Sequence, residues 1–407
     1  MYNLHLTAEQ LEIRDTVRDF VAREIKPIAI RSARLEAGDR QLPLELFDQA
    51  SQMGLRTLAL SEELGGAGAD NLTSCLVTEE LAAGDADFAT TLAATSSLAH
   101  GLFDHAMNAE QRARFLPQFL AEDRFHLALA DYESGADTEL GVNYYRPNVA
   151  AAAVKTIAVR QSNGDWVVNG VKSFSLNAPL ARLIAVEVNS DPNTAGRNGV
   201  RTLLVTPDMP GLTIKEHDTA TAWYHGTRGE LTFKDCRVPA ANLLSDGANS
   251  LAGGAAGRGI PQFEAINLGI GRAAFEAAID YAKLRIQGGR AIIEHQAIGT
   301  LLADIAIRLE VARNTIRQVA WASDHPDVYA DRSLPDLPLE AVARVFTAET
   351  VHQVALDAAE CFGAMGVMRD MPLQKYVRDA LICLHAVPSN EDAKLRIAEA
   401  VAGYVRS

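Results

Sequence analysis

The hydrophobic period of this chain changes twice, and that limits its architecture more than any single motif does. To about residue 125 the apolar residues recur at helical spacing. From about 126 to 245 they fall in short β-prone runs separated by turn residues, and from 246 onward the helical period returns. A chain of 407 residues has room for two or three domains. The expectation is an α+β multi-domain protein: an N-terminal helical domain (1–125), a central β-barrel or sandwich (126–245) and a C-terminal four-helix bundle (246–407).

Local signals support this order. Thr7 with Gln10 is a capping-box pattern ahead of Ile13, Val17, Phe20 and Val21, and Pro27 ends or kinks that helix. A helix over 43–53 has proline in its first turn and stops at Gly54. Asn108 with Gln111 caps another, and a glycine-rich loop spans 61–70. In the middle region, Asn163-Gly164 between β-prone runs at 153–159 and 166–168 predicts a hairpin. Further strands are expected at 200–206 and 230–233. The last region predicts helices over 265–285, 295–323, 339–362 and 390–405, with a proline-rich loop at 325–338.

Composition removes whole classes of function. With 52 acidic against 38 basic residues the net charge is −14, the wrong sign for non-specific nucleic-acid binding. No run of about 18 apolar residues predicts a membrane span. The charged start, residues 1–15, does not resemble a signal peptide. Cys75, Cys236, Cys361 and Cys383 are widely spaced, so they read as free thiols of a cytoplasmic protein, with no metal-type pair among them.

Short motifs add little chemistry. Gly269-Ile-Gly271-Arg-Ala-Ala274 fits a loose dinucleotide pattern but lies inside a helical run, where close helix packing explains it better. Glu349 and His352 make one Glu-x-x-His, and a di-iron bundle needs two, so no metal is expected. His217, His225, His295 and His385 stand alone, without an acidic partner at fixed spacing. A chain of this kind often relies on an organic cofactor.

Several segments, in order, resemble the acyl-CoA dehydrogenase family over nearly the whole length. Residues 60–68, LSEELGGAG, are similar to I-P-E-E-Y-G-G-A-G. Residues 169–178, NGVKSFSLNA, are similar to N-G-x-K-x-W-I-T-N-A. Residues 233–244 resemble F-x-D-V-R-V-P-x-E-N-L-L, and 294–305 the helix after R-x-x-F-G. Residues 363–380 resemble G-G-x-G-Y-x-x-x-x-P-x-x-x-x-x-R-D-A. The resemblance implies the acyl-CoA dehydrogenase fold, an oxidoreductase acting on CH–CH donors of lipid metabolism, an acyl-CoA substrate and FAD between barrel and bundle. It also implies a tetramer whose FAD pyrophosphate and adenosine touch a neighbouring subunit. The thioester's α-proton passes to a glutamate and its β-hydride to the flavin.

The residues implied to do this are only partly present. After Arg378-Asp379-Ala380 an ungapped match sets Ser389-Asn390-Glu391 on the family's T-N-E and Val387 at the catalytic glutamate. Valine cannot take a proton. Other members carry the base on the first bundle helix, where the ungapped match has Gly259 and Ile260. Glu264 lies five residues on, about 500° of helix later and so about 140° away. A gap in the glycine-rich stretch 251–259 would make it a substitute base. Otherwise it reads as an exposed or capping carboxylate. At the ring edge the family's threonines become Ala130 and Leu176, and its tryptophan becomes Phe174. Arg285, Gln296, Gly289, Gly363, Gly366 and Ser389 keep the family's cofactor-binding positions, whereas Gly288 replaces phenylalanine and Glu360 replaces glutamine.

Three functions are consistent with this pattern. The chain is one subunit of a hetero-oligomeric acyl-CoA dehydrogenase, paired with a related chain that supplies the base. Alternatively it is a homo-oligomeric flavoenzyme with altered chemistry or a relocated base, for which Tyr132, His385, Glu264 and Asp131 are candidates. The third reading is a non-enzymatic scaffold on the same fold.

Overall fold

The computed structural model describes residues 5–30, 43–133, 154–191, 199–216, 227–244, 260–325, 337–385 and 390–402, the side chains of 260, 261 and 392 excepted. Helix α1 (Ala8–Phe20) starts as its sequence predicts. The Thr7 hydroxyl accepts the Gln10 N–H while the Gln10 side chain accepts the Thr7 N–H, both at 3.1 Å. Pro27 does not end the helical run. A π-helical turn, Val21–Ile25, leads into α2 (Lys26–Ala29), whose first turn holds Pro27 where no intrahelical acceptor is lost. In α3 (Leu44–Gln52) Pro43 stands at the N-cap, one place earlier than expected, and Gly54 adopts φ +80° just beyond the helix.

Two helices had no periodic signal. Helices α4 (Asn71–Gly84) and α5 (Ala86–Ala99) are capped by Asp70 and Asp85 and are buried on nearly every face. Such a helix shows no apolar stripe. Helix α6 (Ala109–Ala121) carries the capping box of Asn108 and Gln111.

The middle region is one seven-stranded mixed sheet: β1 (His126–Ala130), β2 (Ile157–Arg160), β3 (Trp166–Leu176), β4 (Ala181–Asn189), β5 (Val200–Val205), β6 (Leu212–Glu216) and β7 (Arg228–Val238). The order is β1-β4-β2-β3-β7-β6, with β5 on β4. The expected hairpin joins β2 to β3, with Arg160 opposite Trp166 and Gly164 at φ +93°. Strand β4 runs parallel to β1 and β2, a feature no local turn signal encodes.

The C-terminal region holds α7 (Ile260–Leu284), a ribbon of β8 (Ile286–Gln287) and β9 (Arg290–Ala291), then α8 (Gln296–Asp324), α9 (Leu339–Cys361), α10 (Leu373–His385) and α11 (Asn390–Ala402). Helix α10 is additional to the four helices anticipated. Among the described residues no helix is long and apolar enough to cross a membrane.

Helix α7 packs on α4 as well as within its own bundle, so both helical regions share one apolar core that runs from Val17 and Phe88 to Ile305 and Tyr376. A second core, including Trp166, Val186 and Phe233, lies in the sheet, and a third, including Phe103, Phe119 and Leu183, joins α6 to it. In the Gly269–Ala274 motif Gly269 lies at the α4–α7 contact and Gly271 faces α8 and α9. A Cβ on Gly269 would lie 2.5 Å from the Glu79 carbonyl oxygen, and one on Gly271 would lie 2.8 Å from Leu309 Cδ2. Gly269→Ala is therefore expected to destabilise the chain by about 1–3 kcal/mol through overpacking. The urea midpoint should fall without a change in m-value; an unmoved midpoint would contradict this packing role.

Candidate functional site

The resemblance places the reactive edge where β1 ends and β3 approaches it. The Ser173 N–H donates to the Tyr132 carbonyl at 2.9 Å, which lays the segment after β1 against β3. A buried ion pair fastens this corner: Lys172 Nζ donates to Glu133 Oε1 at 2.7 Å, with side-chain exposures of 0% and 5%. Glu133 also accepts the Lys155 and Thr156 N–H groups at 2.7 and 2.9 Å. Burial raises its pKa, but these donors outweigh burial and hold it below the usual carboxylate range. Burial lowers the pKa of Lys172, with Glu133 opposing.

Phe174 and Asn177 have φ of +51° and +63°, and the register of β3 against β7 shifts between Lys172 and Ser175. Such bulges re-aim side chains. The Phe174 ring is half exposed, 6.3 Å from that of Tyr132. Asn177 Nδ2 donates to Thr91 O at 2.9 Å and ties the corner to α5. Ala130 is fully buried and Leu176 is half-buried; neither has a side-chain hydrogen-bonding group. The buried Ser175 Oγ and Asn177 Oδ1 have no hydrogen-bond partner among the described residues.

A second group lies at one end of the bundle. The β8–β9 ribbon turns through Gly288 and Gly289 at φ +64° and +81°, the pair of positive angles a type I′ two-residue hairpin requires. The His295 ring binds this turn, its Nε2–H donating to Gln287 O at 2.9 Å while Nδ1 accepts from Arg290 at 3.3 Å. A Cβ on Gly288 would lie 3.2 Å from His295 Cε1. The ribbon leaves Arg285 and Gln296 exposed. Tyr281, one turn before Arg285, stacks on Phe362 with ring centroids 4.1 Å apart, so the exposed Gly363 (φ +57°) shares that end. Gly366 is buried, and a Cβ there would lie 2.3 Å from Ala359 O. Val387 and Ser389 lie outside the described residues. The neighbouring Asn390 is buried, and neither side-chain polar atom has a partner among those residues.

Glu264 is not the exposed or capping carboxylate of the alternative reading; it is 1% exposed. Nor does its hydrogen bonding reach Ala130 or Leu176. Oε2 receives Asn267 Nδ2–H at 3.1 Å and meets Thr347 Oγ1 at 2.6 Å, and Oε1 is 3.7 Å from an Arg344 guanidinium nitrogen. Thr347 Oγ1 also lies 2.7 Å from Ala343 O. A hydroxyl has one hydrogen, so it cannot donate to both oxygens. The Thr347 hydroxyl therefore donates to either Glu264 Oε2 or Ala343 O, one at a time. Burial raises the Glu264 pKa to about 7, with Arg344 and the hydrogen bonds from Thr347 and Asn267 opposing it.

Arg344 and Thr347 come from α9, about eighty residues away, and sequence spacing carried no sign of them. Folded Glu264 holds its proton more tightly than the unfolded chain does. Its stabilising contribution is thus complete below about pH 4.5 and disappears as pH rises through about 7. Glu264→Gln should gain on the native chain over that window, by up to about 3 kcal/mol at pH 8. Urea midpoints at pH 5, 6, 7 and 8 test this, and a constant difference would refute the neutral carboxyl.

Family models for the N-terminal, middle and C-terminal domains of acyl-CoA dehydrogenases match residues 7–123, 148–236 and 261–401. An acyl-CoA dehydrogenase of Bacillus subtilis is 30% identical over 403 residues, covering 98% of this chain and all of that one. A probable acyl-CoA dehydrogenase of the same organism is 31% identical, covering 97% and 98%. Among solved structures, butyryl-CoA dehydrogenase of Megasphaera elsdenii superposes with a TM-score of 0.85 at 26% identity, over 98% of this chain and 100% of that one. A glutaryl-CoA dehydrogenase from Mycobacterium smegmatis in complex with FADH2 shares the fold, with a TM-score of 0.83 at 21% identity over 99% and 96%. Sequence motifs, mixed sheet and helical bundle agree with these likenesses: the chain belongs to the acyl-CoA dehydrogenase family of oxidoreductases.

Proposed function

We propose that the chain is one subunit of a heterotetrameric acyl-CoA dehydrogenase that removes the α-proton and β-hydride of an acyl-CoA thioester with FAD. The related partner chain supplies the base. The observation that carries this reading is the contrast between the two residue groups. At the sheet corner Ala130 and Leu176 offer no hydroxyl, and the buried Ser175 Oγ and Asn177 Oδ1 have no partner among the described residues. At the bundle end Arg285, Gln296 and Gly363 are exposed, so they fit the diphosphate part of an FAD whose ring belongs to the partner. FAD, when bound, accepts the hydride. This chain's part is to bind and orient: Arg285 neutralises phosphate charge, and Gln296, as the first residue of α8, presents an amide beside that helix's N-terminal N–H groups. All four cysteines are buried and free, in keeping with a cytoplasmic setting.

One observation favours a self-sufficient enzyme instead. A carboxyl whose pKa lies near 7 has the proton affinity that suits a general base, and Glu264 has it. The two readings separate on visible absorbance and native mass with FAD supplied. The subunit reading expects a colourless chain that becomes a yellow tetramer only with its partner, and Arg285→Ala in this chain then lowers the flavin retained by the complex. A yellow homotetramer bleached by acyl-CoA overturns that reading. Loss of bleaching in Glu264→Gln, with flavin content unchanged, would then assign the base to Glu264.

A further inference from the structure

Helix α5 does not end at Ala99 but opens into a π-helical turn, His100–Ala106. In a π-helix the hydrogen bonds run from i to i+5, so residues five apart come to lie one above the other. His100, partly buried, and His105, exposed, are such a pair. Their Nε2 atoms face each other at 3.1 Å, with the rings 87° apart and their centroids 4.6 Å apart. Behind them Asp104 Oδ2 lies 2.7 Å from His100 Nδ1 and also accepts the Ser61 N–H at 3.2 Å. The side chains of His100 and Asp104 are 17% and 9% exposed, whereas His105 lies at the surface.

The protons can be placed. A carboxylate opposite Nδ1 requires Nδ1–H on His100, which leaves its Nε2 as a bare lone pair. His105 then donates its own Nε2–H to that lone pair. If the His105 proton sits on Nδ1 instead, both Nε2 atoms present a lone pair to the same 3.1 Å gap. Two imidazole nitrogens bound tetrahedrally at about 2.0–2.1 Å lie about 3.3 Å apart, close to the spacing already present. A histidine ligand whose other nitrogen donates to a carboxylate is the usual arrangement behind a metal.

We propose that His100 and His105 form a site for a divalent first-row transition metal, with Asp104 orienting His100 and solvent completing the coordination. Nitrogen donors favour Zn²⁺, Ni²⁺ and Cu²⁺ over the oxygen-seeking Mg²⁺ and Ca²⁺. Through Asp104 the site bears on Ser61, the N-cap of the turn Glu62–Leu64 in the glycine-rich loop, so an occupied site fastens that loop to the π turn.

The test uses the full-length chain, stripped with chelator and titrated with zinc chloride by calorimetry, alongside a sample holding one equivalent of Cu²⁺ for electron paramagnetic resonance. The expected result is one saturable zinc site per chain and a copper spectrum with hyperfine coupling to two imidazole nitrogens. His105→Gln, at an exposed position, should weaken zinc binding at least tenfold and leave one coupled nitrogen. Asp104→Asn retains an oxygen acceptor; it should keep both nitrogens and weaken zinc about ten- to a hundredfold. Unchanged zinc affinity in His105→Gln, or no saturable binding up to millimolar zinc, would overturn the site. Unchanged affinity in Asp104→Asn would overturn the role given to the carboxylate.

Discussion

Two adjacent carboxylates, Glu79 and Glu80, are buried in the middle of the helical core, and the arginines that neutralise them come from three other helices. Arg18 of α1 and Arg272 of α7 reach Glu80 at 2.7 and 2.6 Å, while Arg313 of α8 reaches Glu79 at 3.0 Å. Burial pushes the Glu80 pKa up, and the two guanidinium forks outweigh it, so the group stays ionised. Removing one partner of a buried pair costs about 3–5 kcal/mol, because the remaining charge is stranded. Helix α4 can therefore be buried only with α1, α7 and α8 in place. Gly269, one turn before Arg272, lets the two backbones approach closely enough for that fork to reach. The N-terminal helices and the bundle are thus one electrostatic and apolar unit, to which the sheet is joined through α5 and α6.

A smaller network of the same kind connects the sheet to this unit. Asp85 caps α5 and lies 3.3 Å from Lys375 of α10, whose Nζ also binds Asp379. Asp87, two residues on, accepts the Thr227 hydroxyl at 2.7 Å at the start of β7. The junction between α4 and α5 thereby touches the bundle on one side and the sheet on the other. The sheet corner that carries Ala130 and Leu176 is held to the same helix through Asn177 and Thr91. Its geometry consequently depends on contacts made by residues with no part in any reaction.

How much of this was legible follows from the range of each signal. Caps and tight turns act over three or four residues, and the Thr7, Asn108 and Asn163-Gly164 signals all appear where the sequence places them. The long bundle helices carry enough apolar periodicity to be found, although α10 was visible only as a motif. Helices α4 and α5 are buried on nearly every face, so periodicity had nothing to mark. The parallel pairing of β1 with β4 and the strained backbone at Phe174 depend on distant strands. Of the candidate site, the loss of hydroxyls at Ala130 and Leu176 was readable, because a side chain either has a donor or lacks one. The environment of Glu264 was not, because Arg344 and Thr347 are brought to it only by the packing of α9 on α7. The facing of His100 and His105 was hidden for another reason: five residues is not a helical repeat until the helix widens into a π turn.

Glu264 and Arg285 show why proton affinity and accessibility have to be judged separately in this fold. A base must touch the proton it removes, at hydrogen-bonding distance or through one water. Glu264 has a suitable proton affinity, but its Oε2 is engaged by Asn267 and Thr347, its Oε1 faces Arg344 at 3.7 Å, and its side chain is buried. Arg285 has the opposite balance: it is exposed at the end of α7, beside a ribbon whose Gly288–Gly289 turn His295 holds in place. An arginine without a buried partner contributes little to stability. Held at a fixed position beside the start of a 29-residue helix, it contributes to anion recognition instead. The bundle end is thus organised for a ligand that the sheet corner of the same chain is poorly equipped to complete. A subunit boundary that supplies the missing half accounts for both facts with one arrangement.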